Sequence, residues 1–192
     1  MQLQFSQLLF KNSFQKNGFS IRYLFKESAR QKQYKAKKLI GFSKLEIYEI
    51  VADVQSYDKF LPFCTKSTVL SHRPKEMRAN LVIGFPPIVE NYDSTVLFDK
   101  PNIVKSVCTN GTLFYYLEST WIFHPGLQSN TRSCIIDFSI KFNFKSVLYS
   151  QVASLFFDRL VQQMESAFMN EAARRYGKPS IKTHILNETF AN

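Results

Sequence analysis

The sequence predicts an α+β fold: a curved antiparallel β-sheet of about seven strands wrapped around one long C-terminal helix, with two short helices after the first strand. Three observations predict it. Residues 65–144 alternate between apolar and polar side chains and are broken by turn residues, which is typical of half-buried antiparallel strands. A capping box with an apolar stripe marks a helix before this region. A long amphipathic stretch follows it.

The first elements are a strand over residues 34–40 and a helix that begins after Ser43. Ser43 and Glu46 have the S-x-x-E spacing of a capping box, in which each side chain accepts a backbone N–H of the other residue. The helix carries a one-sided apolar stripe at Ile47, Ile50, Val51 and Val54. Ser56 is placed to cap a second short helix, which the Leu61-Pro62 step should end.

Six further strands follow, separated by turn residues such as the Pro86-Pro87 pair. They are predicted over residues 65–72, 76–83, 89–99, 103–109, 112–124 and 131–144. The last two strands each place large apolar side chains on one face and polar side chains on the other. One face of the sheet is therefore expected to be buried and the other to meet water.

The longest helix is predicted from Ser146 to Tyr176, with Gly177 just after its C-terminus and Pro179 beyond. At 1.5 Å per residue it is roughly 45 Å long, enough to cross the sheet. A strongly curved sheet cannot contact such a helix along its whole length, so a pocket is expected between them. The apolar stripe of the helix includes Leu148, Val152, Leu155, Phe156, Leu160, Met164, Ala167 and Phe168.

Positive charge is concentrated at the N-terminus. Residues 1–38 hold nine Lys or Arg and one acidic residue, Glu27, whereas the remaining 154 residues carry a net charge of only +2. A basic leader that is poor in acidic residues and rich in Ser, Gln and Asn is typical of a mitochondrial transit peptide. We therefore predict a transit peptide at 1–33, one folded domain at 34–178 and a polar tail at 179–192.

Several other classes of function have little support in the sequence. A nucleic-acid-binding body would need a basic patch that the near-neutral residues after the leader do not suggest. No apolar run reaches the ~18 residues of a membrane-spanning helix. The three cysteines, Cys64, Cys108 and Cys134, have no CxxC spacing, and the histidines do not pair, so neither a metal site nor a catalytic cofactor is predicted.

Four stretches resemble a known family. They are KKLIGFSKLEIYEIVADVQSYDKFLPFC (37–64), LVIGFPPIVENYDSTV (81–96), LFYYLESTWIFHPG (113–126) and CIIDFSIKFNFKSVLYSQVASLFFDRLVQQMESAF (134–168). They are similar to the mitochondrial coenzyme Q-binding protein family, within the START-like, polyketide cyclase-like superfamily with its helix-grip fold. The IGFPP-x-V-E-x-Y segment and the W-x-F-x-P-G turn are the most specific parts. Phe63 departs from the pattern, because Trp is expected there.

The resemblance implies a non-enzymatic protein that binds ubiquinone in an apolar cavity and delivers it. It further implies a peripheral position on the matrix side of the mitochondrial inner membrane, a role in coenzyme Q biosynthesis and respiratory electron transport, and contact with quinone-biosynthesis enzymes. Ubiquinone, or a related polyisoprenoid quinone, is then the bound ligand.

The predicted site has three parts. A lipid pocket is assigned from strand parity and the helix stripe to Leu81, Ile83, Tyr92, Leu117, Trp121, Phe123, Phe138, Phe142, Phe156, Leu160 and Met164. Glu90 is expected to be a polar group at the mouth of the pocket. The loop Phe85, Pro86, Pro87, Ile88 and Val89 is expected to touch the membrane or the entering isoprenoid tail.

Plainer interpretations stand beside each assignment. The aromatic residues could be packed core, Glu90 and Tyr92 could form an ordinary hydrogen bond at the rim, and the loop could fold back onto the first helix. Two other functions share the fold: a cyclase- or dehydratase-like enzyme, which needs acids or bases in the pocket, and a ribosome-associated factor, which needs a basic surface.

Overall fold

The computed structural model describes residues 30–85, 88–112, 114–146 and 157–191 of the chain. Within these residues there are eight strands and three α-helices. The strands are β1 (Gln31–Ile40), β2 (Cys64–Arg73), β3 (Glu76–Phe85), β4 (Ile88–Asp99), β5 (Ile103–Cys108), β6 (Phe114–Pro125), β7 (Cys134–Phe144) and β8 (His184–Ala191). The helices are α1 (Lys44–Ala52), α2 (Tyr57–Phe60) and α3 (Phe157–Tyr176), with a 3₁₀ turn at Val54–Ser56.

The described strands form one antiparallel sheet in the order β2-β3-β4-β5-β6-β7-β1-β8. Helix α3 packs on one face of this sheet, where the Phe168 ring lies 5.0 Å from the Trp121 ring and the Phe157 ring lies 5.5 Å from the Phe142 ring. The predicted α+β class, with an antiparallel sheet against a long C-terminal helix, is confirmed. The sheet has eight strands in the described residues rather than about seven.

The capping box at the start of α1 is confirmed. The Ser43 hydroxyl accepts the Glu46 backbone N–H at 3.3 Å, and the Glu46 carboxylate accepts the Ser43 backbone N–H at 2.7 Å. The predicted stripe of Ile47, Ile50, Val51 and Val54 is buried against the sheet. The Ser56 side chain makes no cap hydrogen bond to α2, although α2 does end directly before Leu61.

Helix α3 matches the C-terminal part of the predicted long helix, and residues 147–156 lie outside the described residues. Its buried face includes two carboxylates, Glu165 and Glu171, among apolar side chains. Glu171 accepts hydrogen bonds from Arg174 and Arg175, and this pairing, Arg174 foremost, lowers the pKa of Glu171 to about 2. Glu171 is therefore a structural ion-pair residue at the end of the helix.

The C-terminal residues are not a polar tail, as the sequence suggested, because they form strand β8 on the edge of β1. A β-bulge shifts the β1–β8 register between Lys37 and Lys38, so that Asn187 pairs with Lys37 and Ile185 pairs with Lys38. The bulge interrupts the alternation of side chains along β8. Seven of the eight residues of β8 are exposed, so this edge strand has no buried face and lacks the period-two signal of a half-buried strand.

Strand β1 begins at Gln31, three residues before the predicted start of the domain. Lys32 is buried in this strand, and Gln31 pairs with Asn143 of β7. The folded part therefore includes residues 31–33, which the sequence had assigned to the leader.

Gly41 lets the C-terminal segment cross close to the end of β1. Its carbonyl oxygen accepts the Ser180 N–H at 2.8 Å, and a Cβ atom added at Gly41 would lie 2.5 Å from the Ile181 backbone N. Because backbone atoms cannot rotate away, we expect Gly41→Ala to lower the free energy of unfolding by about 1–3 kcal/mol. Urea denaturation measures this change.

Gly84→Ala is the matched control. A Cβ atom there would meet only side-chain carbons, Thr65 Cγ2 at 3.7 Å and Val89 Cγ2 at 3.8 Å, which are ordinary contacts. This variant should be as stable as the parent chain or slightly more stable. Equal stability of both variants would show that the segment at Ser180 is not held against Gly41.

Candidate functional site

An apolar cavity of about 90 Å³ lies between the inner face of the sheet and α3. Seven residues predicted for the lipid pocket line it: Leu81, Ile83, Tyr92, Leu117, Trp121, Phe138 and Met164. They come from β3, β4, β6, β7 and α3, so the fold brings side chains that are far apart in sequence around one space.

Further lining residues were not among the predicted set. Strands β4, β5, β6 and β7 add the small or branched side chains Val96, Val104, Ser106, Ser119 and Ile140, and the other residues are Val51, Val54, Tyr57, Leu61, Glu165 and Phe168. Val51 and Val54 belong to the one-sided apolar stripe that the sequence analysis identified for the first helix. The stripe was therefore the signal that α1 also faces the cavity.

Four predicted pocket residues are not part of the lining that the described residues form. Phe123 packs edge-on against Tyr48 with ring centres 6.0 Å apart. Phe142 packs against Phe157 and also against Phe114, at 5.6 Å. Leu160 is partly buried outside the cavity lining, and Phe156 lies outside the described residues.

Glu90 is buried rather than placed at an open mouth, with 2% of its surface exposed. Its two carboxylate oxygens accept the Thr112 backbone N–H and, at 2.7 Å, the Thr112 hydroxyl. Tyr92, two residues along β4, lines the cavity. Glu90 thus fixes the β5–β6 connection to β4 beside the site.

The β3–β4 hairpin carries the predicted membrane-contacting loop. Phe85 pairs with Ile88 as the last rung of the hairpin, and Pro86 and Pro87 lie outside the described residues. Val89 is 67% exposed. The Gly84 N–H donates to the Phe63 carbonyl at 2.8 Å, and Phe63 has a positive φ of 71°. The hairpin is therefore tied, one residue before the end of β3 at its tip, to the turn that follows α2.

Trp121 is the aromatic wall of the cavity. It is 4% exposed, and its ring centre lies 4.3 Å from that of Phe138 and 5.0 Å from that of Phe168. Trp121 and Glu165 also line a second, outer groove of about 450 Å³, to which β1, α3 and β8 contribute. These two residues therefore form the partition between the apolar cavity and the outer groove.

A buried polar cluster lies at this partition: Tyr34, Lys38, Glu165 and Glu188. The Tyr34 hydroxyl and the Lys38 ammonium lie 2.7 Å and 2.8 Å from Glu165 Oε2. Glu188 Oε1 is 2.5 Å from the same hydroxyl and 3.7 Å from the ammonium. Burial, followed by the contacts to Glu188 and Glu165, raises the pKa of Tyr34, so its hydroxyl stays protonated.

The sequence contained a signal for this cluster that the predictions did not use. Glu165 lies four residues after Val161 and three before Phe168, so a carboxylate occupies the centre of the apolar face of α3. An acidic residue on the buried side of a helix is rarely left without a partner. Such a residue is therefore a candidate for a polar contact inside the fold.

Thiol chemistry has little support at this site. All three cysteines are free and buried. Burial raises the pKa of the Cys64 thiol to about 11 and that of the Cys134 thiol to about 12. Both thiols are therefore protonated at neutral pH, whereas the thiolate is the nucleophilic form.

The described residues offer neither a metal-binding cluster nor a membrane-spanning helix. That part of the chain contains no cluster of three or more His, Cys, Asp or Glu side chains that could hold a metal ion. None of its helices is both long enough and apolar enough to cross a bilayer.

Comparison with known proteins identifies relatives over most of this region. The family model "Polyketide cyclase / dehydrase and lipid transport" matches residues 40–169. The chain is 45% identical over 157 residues to "Coenzyme Q-binding protein COQ10, mitochondrial" of Drosophila melanogaster, covering 82% of this chain and 65% of that protein. It is 45% identical over 149 residues to the homolog B of that protein from Xenopus laevis, covering 78% and 61%. The chain thus spans less than two thirds of the length of either relative.

The chain is also similar, at lower sequence identity, to proteins with other names. The chain is 27% identical to "Ribosome association toxin RatA" of Rickettsia prowazekii, covering 70% of this chain and 92% of that protein. Among solved structures, an aromatase/cyclase from Streptomyces sp. R1128 matches with a TM-score of 0.65 at 12% identity, covering 76% of this chain and 95% of that one. A START superfamily protein from Mycobacterium smegmatis matches with a TM-score of 0.57 at 15% identity, covering 73% and 99%. At such identities these structures show the fold alone.

Proposed function

Because this chain belongs to the polyketide cyclase, dehydrase and lipid transport family, we propose that it binds ubiquinone in the cavity beneath α3 and carries that lipid to the proteins that use it. The cavity is the observation that carries the proposal, since its lining is apolar and aromatic with few polar groups. The relatives from Drosophila melanogaster and Xenopus laevis are named as coenzyme Q-binding proteins, which supports quinone as the ligand.

The physical basis of binding is the burial of an isoprenoid chain. Each CH₂-sized increment removed from water contributes about 0.8 kcal/mol, so an apolar cavity can hold the tail without many hydrogen bonds. The cavity of about 90 Å³ is smaller than the ~150 Å³ space that accommodates a benzene ring. Ligand entry therefore requires the lining to move outward, with α3 and the β3–β4 hairpin as the elements that border it.

We assign the protein a binding role and no catalytic one. The polar side chains of the cavity lining are Tyr57, Tyr92, Ser106, Ser119 and Glu165. Burial raises the pKa of Tyr57 and of Tyr92, which keeps both hydroxyls neutral at physiological pH. Neutral hydroxyls in an apolar space suit the orientation of a bound ring better than proton transfer to it. Glu165, the carboxylate of the described lining, is held by the Tyr34 hydroxyl and the Lys38 ammonium.

The cellular setting is part of the same proposal. The basic leader, which precedes strand β1 at Gln31, directs the chain to mitochondria, where the folded domain acts at the matrix side of the inner membrane. The β3–β4 hairpin with exposed Val89 is the proposed contact with the bilayer. In this position the protein delivers quinone to enzymes of coenzyme Q biosynthesis and to the respiratory chain.

Organic extraction of the purified full-length chain tests the proposal. We expect ubiquinone in the extract, in a molar ratio to protein that approaches one, identified by mass spectrometry. Extraction of a folded chain produced in a host that makes ubiquinone would yield no quinone if the proposal is wrong. RNA binding that weakens steeply with salt would then favour the ribosome-associated alternative, and turnover of a polyketide-like substrate would favour the enzymatic one.

A further inference from the structure

Glu165 has one carboxylate oxygen for which the described part of the chain provides no hydrogen-bond donor. Its side chain is 8% exposed, and Oε1 is buried without a hydrogen-bond partner among the described residues. The other oxygen, Oε2, accepts from Tyr34 and Lys38. A buried polar atom without a partner costs about 1–3 kcal/mol, and more when the group is charged, so Oε1 is a candidate for a hydrogen bond to a group that the described residues do not supply.

The surroundings of Glu165 are those of an ionised carboxylate. Two donors, one of them the Lys38 ammonium at 2.8 Å, are directed at Oε2. Such a group accepts hydrogen bonds and cannot donate them. A hydrogen-bond partner of Oε1 must therefore carry an N–H or O–H group.

The donors of the cluster are directed at two other oxygens. The Tyr34 hydroxyl lies within hydrogen-bond distance of Glu165 Oε2 and of Glu188 Oε1, and its one proton cannot serve both at once. The Lys38 ammonium lies 2.8 Å from Glu165 Oε2 and 3.7 Å from Glu188 Oε1. Neither group contacts Glu165 Oε1, so an added hydroxyl would supply the partner that this oxygen lacks among the described residues.

The position of Glu165 points to a ligand as the donor. Glu165 lines the apolar cavity and the outer groove, and it shares both walls with Trp121. A ring bound at this partition would have the Trp121 ring beside it, Glu165 at its edge and apolar space for its tail, and it would reach the buried Oε1 as the lining moves outward to admit it. This is the arrangement that a ring hydroxyl, and not a ring carbonyl, can use.

We propose that Glu165 Oε1 accepts a hydrogen bond from a ring hydroxyl of the bound lipid, so that the protein holds the hydroquinone form in preference to the quinone. The inference rests on the proposed function, because it specifies which form of that ligand the cavity prefers. No redox step is involved: the protein binds one member of the couple more tightly than the other. A quinone carbonyl at the same place would face the carboxylate oxygen, acceptor against acceptor.

The test measures the affinity of the full-length chain for a short-chain ubiquinone analogue in its oxidised form and, under anaerobic conditions, in its reduced form. We expect the reduced form to bind about tenfold more tightly, as a hydrogen bond to a charged group would provide. By linkage, a tenfold preference raises the two-electron potential of the bound couple by about 30 mV.

Glu165→Gln supplies the decisive variant. Its amide oxygen can keep the Tyr34 and Lys38 contacts while its NH₂ group takes the place of Oε1, so a donor replaces the acceptor. The preference should fall to parity or reverse in favour of the quinone. Glu188→Gln is the matched control, because Glu188 belongs to the cluster and to the groove but not to the cavity lining. It should retain the hydroquinone preference.

The outcomes separate this inference from the proposed function. Equal affinity for both forms in the parent chain, or tighter binding of the quinone, overturns the role of Glu165 while leaving ubiquinone binding intact. An unchanged preference in Glu165→Gln also overturns it, since Oε1 would then be satisfied by water. Failure of the parent chain to bind either form would remove the proposed function as well.

Discussion

Trp121→Ala is expected to lower the free energy of unfolding by about 3–5 kcal/mol, the typical cost of deleting a large aromatic side chain from a core. The indole packs against Phe138 on β7 and Phe168 on α3, so its removal separates the sheet from the helix at the centre of their contact. For a domain of this size the change corresponds to a melting temperature lower by roughly 6–20 °C. Thermal and urea denaturation of the full-length chain measure it.

Tyr115→Ala provides the comparison. Tyr115 is on the same strand, but it is 53% exposed and makes a surface cation–π contact with Lys145. Truncation of an exposed side chain should change stability by no more than about 0.5 kcal/mol. Similar losses in the two variants would mean that Trp121 is not the central contact between β6 and α3.

The elements that sequence patterns identified are those that are stabilised by interactions within one short segment of the chain. The capping box at Ser43 depends on three consecutive peptide units, and the alternation along β6 and β7 depends on the pleat of each strand. Both are confirmed. Strand β8 was missed because seven of its eight residues are exposed, so it lacks the apolar alternation of a half-buried strand. Its pairing with β1 joins two segments that are distant in sequence.

The site was predicted less completely than the fold. Strand parity shows which face of the sheet a side chain occupies, and it placed Phe123 and Phe142 on the inner face along with Trp121. It does not show how far along the strand the cavity extends. The helix α1 at one end and the Phe114–Phe142–Phe157 cluster at the other fill those parts of the inner face. Among the predicted pocket residues on the described strands, those between these two clusters line the apolar cavity.

Glu165 shows what depends on tertiary structure alone. Its hydrogen-bond partners are Lys38 and Tyr34, which lie 127 and 131 residues away in sequence. Glu188, which shares the Tyr34 hydroxyl, lies on a strand that the sequence analysis did not predict. A carboxylate on the apolar side of a helix can be recognised in the sequence, but its partners cannot. The missing hydrogen-bond partner of Oε1 can be recognised only once β1, α3 and β8 are placed together in the fold.

Ser119→Leu is expected to abolish quinone binding while leaving the fold intact. Ser119 lies on the wall of the cavity, paired with Ser106 of β5 and Ile140 of β7, both of which also line it. A leucine there projects into a space of about 90 Å³ and occupies the volume that the ligand needs. Filling an apolar cavity commonly stabilises a protein by about 0.5–2 kcal/mol, so the melting temperature should stay the same or rise.

The readout is the amount of quinone extracted per mole of purified chain, which should fall at least about tenfold if the ring or tail competes directly with the leucine. Ser139→Leu makes the same chemical change one strand away on the outer face of the sheet, where Ser139 pairs with Thr120 and Lys35. That control should carry as much quinone as the parent chain. Full quinone occupancy in Ser119→Leu would place the ligand outside the cavity, whereas a large loss of stability would mean that the cavity closes around a packed core and does not open for a lipid.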